Sequence, residues 1–150
     1  MDGRMYSLIM DAATITAAKD LISYTVPADV VCILHELNVT QQASETSDTG
    51  AIQIHRASGS AGVGTAATPR ALNEGNTVAA GGTALVDLGT DETEGNILLR
   101  RGWNVLTPFK ALWTPKTQIS VKGQGIIVVR SDVAISSAVV TAELVFELIG

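Results

Sequence analysis

The chain is a succession of short runs of aliphatic and β-branched residues separated by turn signals, and this pattern constrains the fold more than any other feature. In residues 137–149, the clearest run, two sets of residues alternate at every second position. That period is typical of β-strands, and no capped segment sustains a 3.6-residue helical period. Eight or more strands, with turn signals about every ten residues, predict an all-β, single-domain, antiparallel β-sandwich of jelly-roll type over residues 1–150.

The same pattern predicts the individual strands. We expect them at residues 5–10, 21–26, 31–41, 51–56, 83–88, 97–101, 104–113, 118–122, 126–130 and 137–149, with a polar connector at 42–49. Residues 12–20 fit either a strand edge or a short helical turn. In the 31–41 strand, Val31, Ile33, Leu37 and Val39 share one parity, with His35 among them. The runs 118–122 and 126–130 flank Gly123-Gln124-Gly125, and such a short glycine-containing turn predicts a β-hairpin.

Residues 57–76 (ASGSAGVGTAATPRALNEGN) are rich in Gly, Ala, Thr and Ser and contain no His, Cys or Lys. Long loops in compact domains are usually functional or disordered. We therefore expect one long loop that makes contacts rather than chemistry and is ordered by packing against a neighbouring chain. Its glycines superficially resemble a phosphate-binding loop, but Thr65 follows Gly64 where that motif needs Lys.

Few residues could carry chemistry. His35 and His55 lie on separate expected strands, so a two-His metal site is conceivable, but no third ligand stands at a helpful spacing. We expect the acidic turn at 89–95 (Asp91, Glu92, Glu94) to be a solvated corner, with a weak calcium site as a remote alternative. Cys32, the one cysteine, lies in an apolar run and is expected to be buried and inert. No enzyme activity, metal or cofactor is expected.

The charges of the chain are unevenly distributed. The net charge of −5 disfavours nucleic-acid binding, yet residues 95–130 carry six of the ten basic residues and no acid. Trp103, Phe109 and Trp113 lie in the same segment. The cations either point in different directions from several strands or form a basic, aromatic-bearing patch that binds an acidic partner. No apolar run reaches the roughly 18 residues of a membrane span, and no signal peptide is expected.

The order of motifs resembles a known group of proteins. An opening MYS strand is followed by an LHELNVTQ strand, an IQIHR strand and a Gly/Ser loop that runs into ATPRALN; RGWN and a terminal strand ending in ELIG come later. This order resembles small structural proteins of tailed phages, similar to the head decoration (cement) proteins with a β-sandwich or jelly-roll fold. The most specific part of the resemblance is the loop with ATPRALN.

The resemblance implies a non-enzymatic virion protein that is made in the bacterial cytoplasm and binds the outer capsid surface. Its implied partners are the major capsid protein and further copies of itself, as a trimer, with no nucleic acid and no membrane. Together with the basic segment, it suggests a set of partner-interface residues: Pro69, Arg70, Leu72, Arg100, Arg101, Trp103 and Trp113. A tail structural protein is an alternative, as is a carbohydrate-binding or adhesion module, for which Trp103 and Trp113 are the only plausible aromatic platform. A jelly-roll hydrolase would need the two histidines to meet a carboxylate.

Overall fold

A computed structural model describes residues 3–43, 48–133, 135 and 138–150, and these residues form strands and turns with no helix. The strands are β1 (Arg4–Ile15), β2 (Lys19–Thr25), β3 (Val31–Ala43), β4 (Thr49–Arg56), β5 (Val63–Ala67), β6 (Arg70–Ala71), β7 (Thr83–Thr90), β8 (Asn96–Asn104), β9 (Phe109–Leu112), β10 (Ser120–Lys122), β11 (Ile126–Ser131) and β12 (Ala138–Ile149). The expected all-β architecture is confirmed. No helix in the described part of the chain is long and apolar enough to cross a membrane.

The strands form two antiparallel sheets that pack face to face. Sheet A has the order β10-β3-β12-β1-β6, with β9 also paired to β3, and sheet B has the order β5-β7-β2-β11-β4-β8. Strand β12 lies between β1 and β3 in sheet A, while β11 lies between β2 and β4 in sheet B. This nesting of the last strands between the first ones is the strand order of a jelly roll. Strands β5, β6 and β7 are an insertion between β4 and β8.

The core lies between the sheets and is centred on Phe146 of β12, which is fully buried. Its ring lies 4.8 Å from that of Tyr24 and 5.9 Å from that of Tyr6, measured between centroids. Both tyrosines keep their hydroxyls satisfied, because Tyr6 donates to the Val78 carbonyl and Tyr24 to the Gly81 carbonyl. These bonds tie the insertion to the core.

Strand β3 does not keep one parity along its length. The pairing with β12 shifts between Val145 and Phe146, so that Leu34 faces Phe146, Glu36 faces Val145 and His35 is the extra residue of a β-bulge. Before the bulge Cys32 and Leu34 are buried, and after it Leu37 and Val39 are buried. A bulge reverses the faces of every residue beyond it, so the shared parity of Val31, Ile33, Leu37 and Val39 does not correspond to one face.

The expected hairpin at residues 118–130 is wrong. Strand β10 pairs with β3 in sheet A, whereas β11 pairs with β2 and β4 in sheet B, so the glycine turn joins the two sheets. The Gln124 N–H donates to the Val26 carbonyl and the Gly125 carbonyl accepts from Val26, which fixes the turn against the end of β2. A short glycine-containing turn marks a reversal of the chain but does not determine which strands pair.

Residues 57–76 are not a single irregular loop, because they contain β5 and β6. Strand β5 pairs with β7 at one end of sheet B, and β6 pairs with β1 at one end of sheet A. A Cβ atom at Gly64 would lie 2.9 Å from the Val86 carbonyl oxygen, so glycine allows these strands to approach. Strands β5 and β6 are therefore paired within their own chain, and packing of the rest of the segment against a neighbouring chain stays a prediction.

The remaining expected strands differ at their ends. Residues 12–20 are strand rather than a helical turn: β1 continues to Ile15 through an irregularity at Ala12, and β2 begins at Lys19. Strand β8 continues through Gly102, which we had expected to interrupt it. Of the connector at 42–49, residues 44–47 lie outside the described part of the chain.

We expect the substitution Phe146→Ala to lower the free energy of unfolding by about 3–5 kcal/mol, because it removes the ring that both core tyrosines contact and leaves a cavity. Urea denaturation followed by far-UV circular dichroism would measure it. Leu112→Ala is the matched control, since that side chain is 65% exposed, and we expect a change within about 0.5 kcal/mol. Equal losses in both variants would contradict this description of the core.

Candidate partner-binding surfaces

The outer face of sheet B is covered by the chain itself. Two segments, residues 57–62 and 91–95, form a covering layer over it and are joined by hydrogen bonds between Ser58 N and Thr93 O and between Thr93 N and Gly59 O. Beneath the layer, outward-facing polar side chains of sheet B are almost fully buried, among them Ser23, Gln53 and His55. The covering layer therefore shields the middle of this face, while Ile97 on β8 and Val63 on β5 of sheet B remain exposed.

Glu92 attaches the covering layer to sheet B. Its carboxylate is 6% exposed and accepts three hydrogen bonds, from Ser23 Oγ at 2.8 Å, Ala61 N at 2.9 Å and Gly62 N at 2.8 Å. A Cβ atom at Gly62 would lie 2.5 Å from the Glu92 carboxyl carbon, so only glycine lets the backbone reach it. A buried carboxylate is tolerated when donors surround it, and two of these are backbone N–H groups.

Asp91 of the acidic turn contacts Arg130, whose side chain is 17% exposed. Arg130 Nη1 contacts Asp20 Oδ1 at 3.0 Å and Asp91 Oδ2 at 2.5 Å, and its Nε donates to Asp132 at 3.1 Å. Asp20 also accepts from Glu92 N, while Asp91 accepts from Asp20 N. The expectation of a solvated corner at 89–95 is therefore wrong for Glu92, which is buried, and for Asp91, which Arg130 draws inward from 39 positions away. Glu94 is exposed, as expected.

Burial shifts the titration of this cluster. Burial raises the pKa of Asp20 above 3.8, and the nearby charge of Asp91 raises it further; the hydrogen bonds from Glu92 N and Arg130 offset this only in part. Burial by itself lowers the pKa of Arg130, but its bonds to Asp91 and Asp20 outweigh that effect and the net shift is upward. In this cluster one cation, Arg130, binds the carboxylates of Asp20, Asp91 and Asp132. These bonds fix the turn at 89–95 against β2 and β11.

The residues considered for catalysis are not assembled. His35 lies on the outer side of sheet A, 2.9 Å from Glu147, whereas His55 is buried in sheet B, so the two-His site does not form. No group of three or more potential metal-ligating side chains occurs within the described residues. Cys32 is buried, as expected, and burial raises the pKa of its thiol to about 12. The hydrolase arrangement, with both histidines at one carboxylate, is likewise not formed.

The basic segment does not form one patch. Arg130 belongs to the cluster just described, Arg100 pairs with Asp132, and Lys110 lies 3.1 Å from Glu36 in sheet A. Its cations belong to β8, β9, β10 and β11 and to the turns between them, and β8 and β11 lie in sheet B while β9 and β10 lie in sheet A. The interpretation that these charges point in different directions is the one the structure favours.

The seven expected interface residues fall into separate regions. Pro69, Arg70 and Leu72 lie at the β6 edge of sheet A; Arg100 and Arg101 lie on β8 at an edge of sheet B; Trp113 follows β9. Trp103 is 6% exposed and donates from Nε1 to the Thr107 carbonyl, so it is a core residue and not an exposed anchor. Trp113 is half-buried against the core.

By contrast, no described segment is hydrogen-bonded over the outer face of sheet A, which we call the open face, although Ser7 and Val145 at its centre are 7% and 8% exposed. A row of paired residues crosses it from Leu112 through Glu36, Val145 and Ser7 to Arg70. Ile9, Val31 and Leu112 of this face are 46%, 41% and 65% exposed. Sequence reasoning missed these three; the one available signal was unbroken apolar runs such as LIM at residues 8–10, which have no polar face.

A cleft of about 530 Å³ adjoins the open face where β1 begins. Arg4 and Met5 of β1 line one side of it, and Asn73, Asn76 and Thr77 line the other. The cleft lies beside Leu72, whose N–H donates to the Met5 carbonyl and whose side chain is exposed. The ALN end of the motif that carries the resemblance therefore borders the open face.

We expect Glu92→Gln to lower the free energy of unfolding by about 1–3 kcal/mol, because the amide replaces one accepting oxygen by a donor that faces N–H groups. Amide hydrogen exchange at Ala61 and Gly62 should accelerate more than global unfolding explains. Glu74→Gln, an exposed carboxylate, is the control and should leave both measurements unchanged. Unchanged exchange at residues 61 and 62 would refute this role of Glu92.

Asp20 predicts a pH dependence whose sign differs from that of most paired carboxylates. Because its native pKa is raised above 3.8, the native state binds this proton more tightly than the unfolded chain does. Its contribution to stability is therefore fully present below pH 3.8 and is lost as the pH rises through the native pKa. Comparing urea unfolding of wild type and Asp20→Asn across this range, we expect the wild-type advantage to shrink with rising pH. An advantage that grows would show that the pair with Arg130 dominates.

Compared with protein-family models, curated proteins and solved structures, the chain shows no match. The jelly-roll assignment therefore rests on the order of the strands in the two sheets. The functional argument therefore rests on the positions of side chains in the fold: the covering layer buries polar side chains of sheet B, and the outer face of sheet A keeps exposed ones.

Proposed function

We propose that this chain is a non-enzymatic structural protein of a tailed-phage virion that binds the outside of the capsid and stabilises contacts between capsid subunits. The proposal starts from the resemblance of the motif order to the head decoration proteins. Its partners would be the major capsid protein and two further copies of itself in a trimer. A trimer gains avidity because each contact after the first is intramolecular, and it stabilises the assembled shell by binding that state alone.

The observation that carries the proposal is the difference between the two faces of the sandwich. Both sheets have exposed apolar side chains, Ile9, Val31 and Leu112 in sheet A and Val63 and Ile97 in sheet B, but among the described residues the covering layer lies over sheet B. The outer face of sheet A is therefore the sheet face that remains available for contact with a protein surface. The open face is the surface we assign to the capsid, with Arg70 and Leu72 at its border.

Two observations bear on the alternatives. All six aromatic side chains are described, and only Trp113 is not fully buried, so the paired platform of a carbohydrate-binding module lacks its second ring. Asp20, Glu92 and Arg130 at the outer side of sheet B are held in structural bonds, and the two histidines lie in different sheets, which does not favour the hydrolase. A tail structural protein would use the same open face, and the experiment must separate head from tail.

We expect Ile9→Asp and Leu112→Asp to abolish binding of the purified protein to isolated phage heads that lack it, because each places a charge on the open face. Co-sedimentation with heads, and separately with tails, measures binding, and light scattering measures the oligomeric state. Leu106→Asp is the matched control, since Leu106 is 47% exposed in the turn after β8 and should leave binding intact.

Binding to tails alone would assign the protein to the tail. A wild-type protein that is strictly monomeric and sediments with neither particle would overturn the proposal. Thermal unfolding of each variant provides the check on folding, because exposed substitutions of this kind should change stability by no more than about 0.5 kcal/mol.

A further inference from the structure

Strand β8 ends sheet B and has a free edge. It is nine residues long, pairs only with β4 among the described strands, and spans about 30 Å. From Leu99 to Asn104 its pairing with β4 is in continuous register, beyond a bulge opposite Ile54 and His55. A long terminal strand with unpaired backbone groups is a template for another strand, and proteins shield such edges when they do not use them.

The hydrogen bonds of β4 show which groups of β8 face outward. The Ala51 carbonyl accepts from Asp132 N, so the backbone groups of Ala51 point toward β11. Gly102 is the residue paired with Ala51, and its own N–H and C=O therefore point away from β4. By alternation the backbone groups of Arg100 do the same. Gly102 is exposed, so this part of the edge is accessible to solvent.

The charge along this edge selects the partner. Arg101 is exposed next to Gly102, whereas Arg100 on the same strand is paired with Asp132. Ile97, also on β8, is 49% exposed. A second copy of the chain is disfavoured at this edge, because pairing β8 with β8 brings Arg101 of both copies together. An incoming strand that carries carboxylates has complementary charge.

We propose that the free edge of β8 binds an extended acidic segment of another protein by β-strand addition. Backbone bonds to Gly102 and Arg100 supply the pairing, as in other complexes in which a peptide extends a sheet. Arg101 selects acidic side chains. This edge is separate from the open face of sheet A, so the inference does not depend on the proposed function.

The pair Gly102→Pro and Gly102→Ala tests the pairing. Proline removes the outward N–H without removing a bond to β4, and an edge strand tolerates proline where its N–H faces solvent; alanine keeps the N–H. The probes are fluorescein-labelled nine-residue peptides, one alternating glutamate and valine and the other lysine and valine, titrated by fluorescence anisotropy into the full chain. We expect Gly102→Pro to bind the glutamate peptide about tenfold more weakly than Gly102→Ala does.

Two further measurements complete the test. The glutamate peptide should slow amide hydrogen exchange at Gly102, and Arg101→Glu should reverse the preference between the two peptides. Equal affinities of Gly102→Pro and Gly102→Ala, equal affinities of the two peptides for the wild type, or no binding of either would overturn the proposal. Self-association that Gly102→Pro abolishes, without binding of the glutamate peptide, would assign the edge to a second copy and also overturn it. Circular dichroism of each variant confirms that it is folded.

Discussion

Glu92 is a charged side chain buried on the outer face of sheet B, and three donors around its carboxylate make that burial tolerable. Two of these donors are backbone N–H groups of the covering layer, and the third is a hydroxyl of β2. The carboxylate therefore holds the covering layer against β2 of sheet B. Together with Arg130 and its three carboxylates, it fixes the segments that cover the middle of this face. The difference between the two faces, on which the functional proposals depend, follows from these bonds.

The insertion between β4 and β8 is what makes the closure possible. It adds β5 and β7 to sheet B and β6 to sheet A, and its ends supply the covering layer. Sheet A receives no equivalent cover from the described residues, so Ile9, Val31 and Leu112 remain exposed. Sheet B keeps one long free edge, at β8. The molecule thus presents a face of mixed polar and apolar side chains and an edge with an exposed arginine, Arg101, two surfaces that differ in the partners they suit.

Much of the fold could be predicted from residue patterns, but the pairing of strands could not. The all-β class follows from alternation and turn signals, which are local. The composition of the turn at Gly123-Gln124-Gly125 predicts that the chain reverses there. It does not indicate that the strand before the turn joins sheet A and the strand after it joins sheet B. The bulge at His35 is invisible for a similar reason, since it is defined by its partner strand. Of the candidate interface, Arg70, Leu72 and Arg101 are exposed as expected, while Trp103 is buried because the inner face of β8 continues the core.

The sequence by itself determined that this chain forms strands, has a buried cysteine and carries its cations in one acid-free stretch, because these properties depend on residue type and short-range order. Only the tertiary structure decided that Glu92 and Asp91 turn inward, since the groups that compensate their charge lie about 30 to 70 positions away. It also decided that residues 57–76 belong to both sheets and that the two histidines never meet. Long-range hydrogen bonds and ion pairs set these outcomes, and no local pattern encodes the distance between their members.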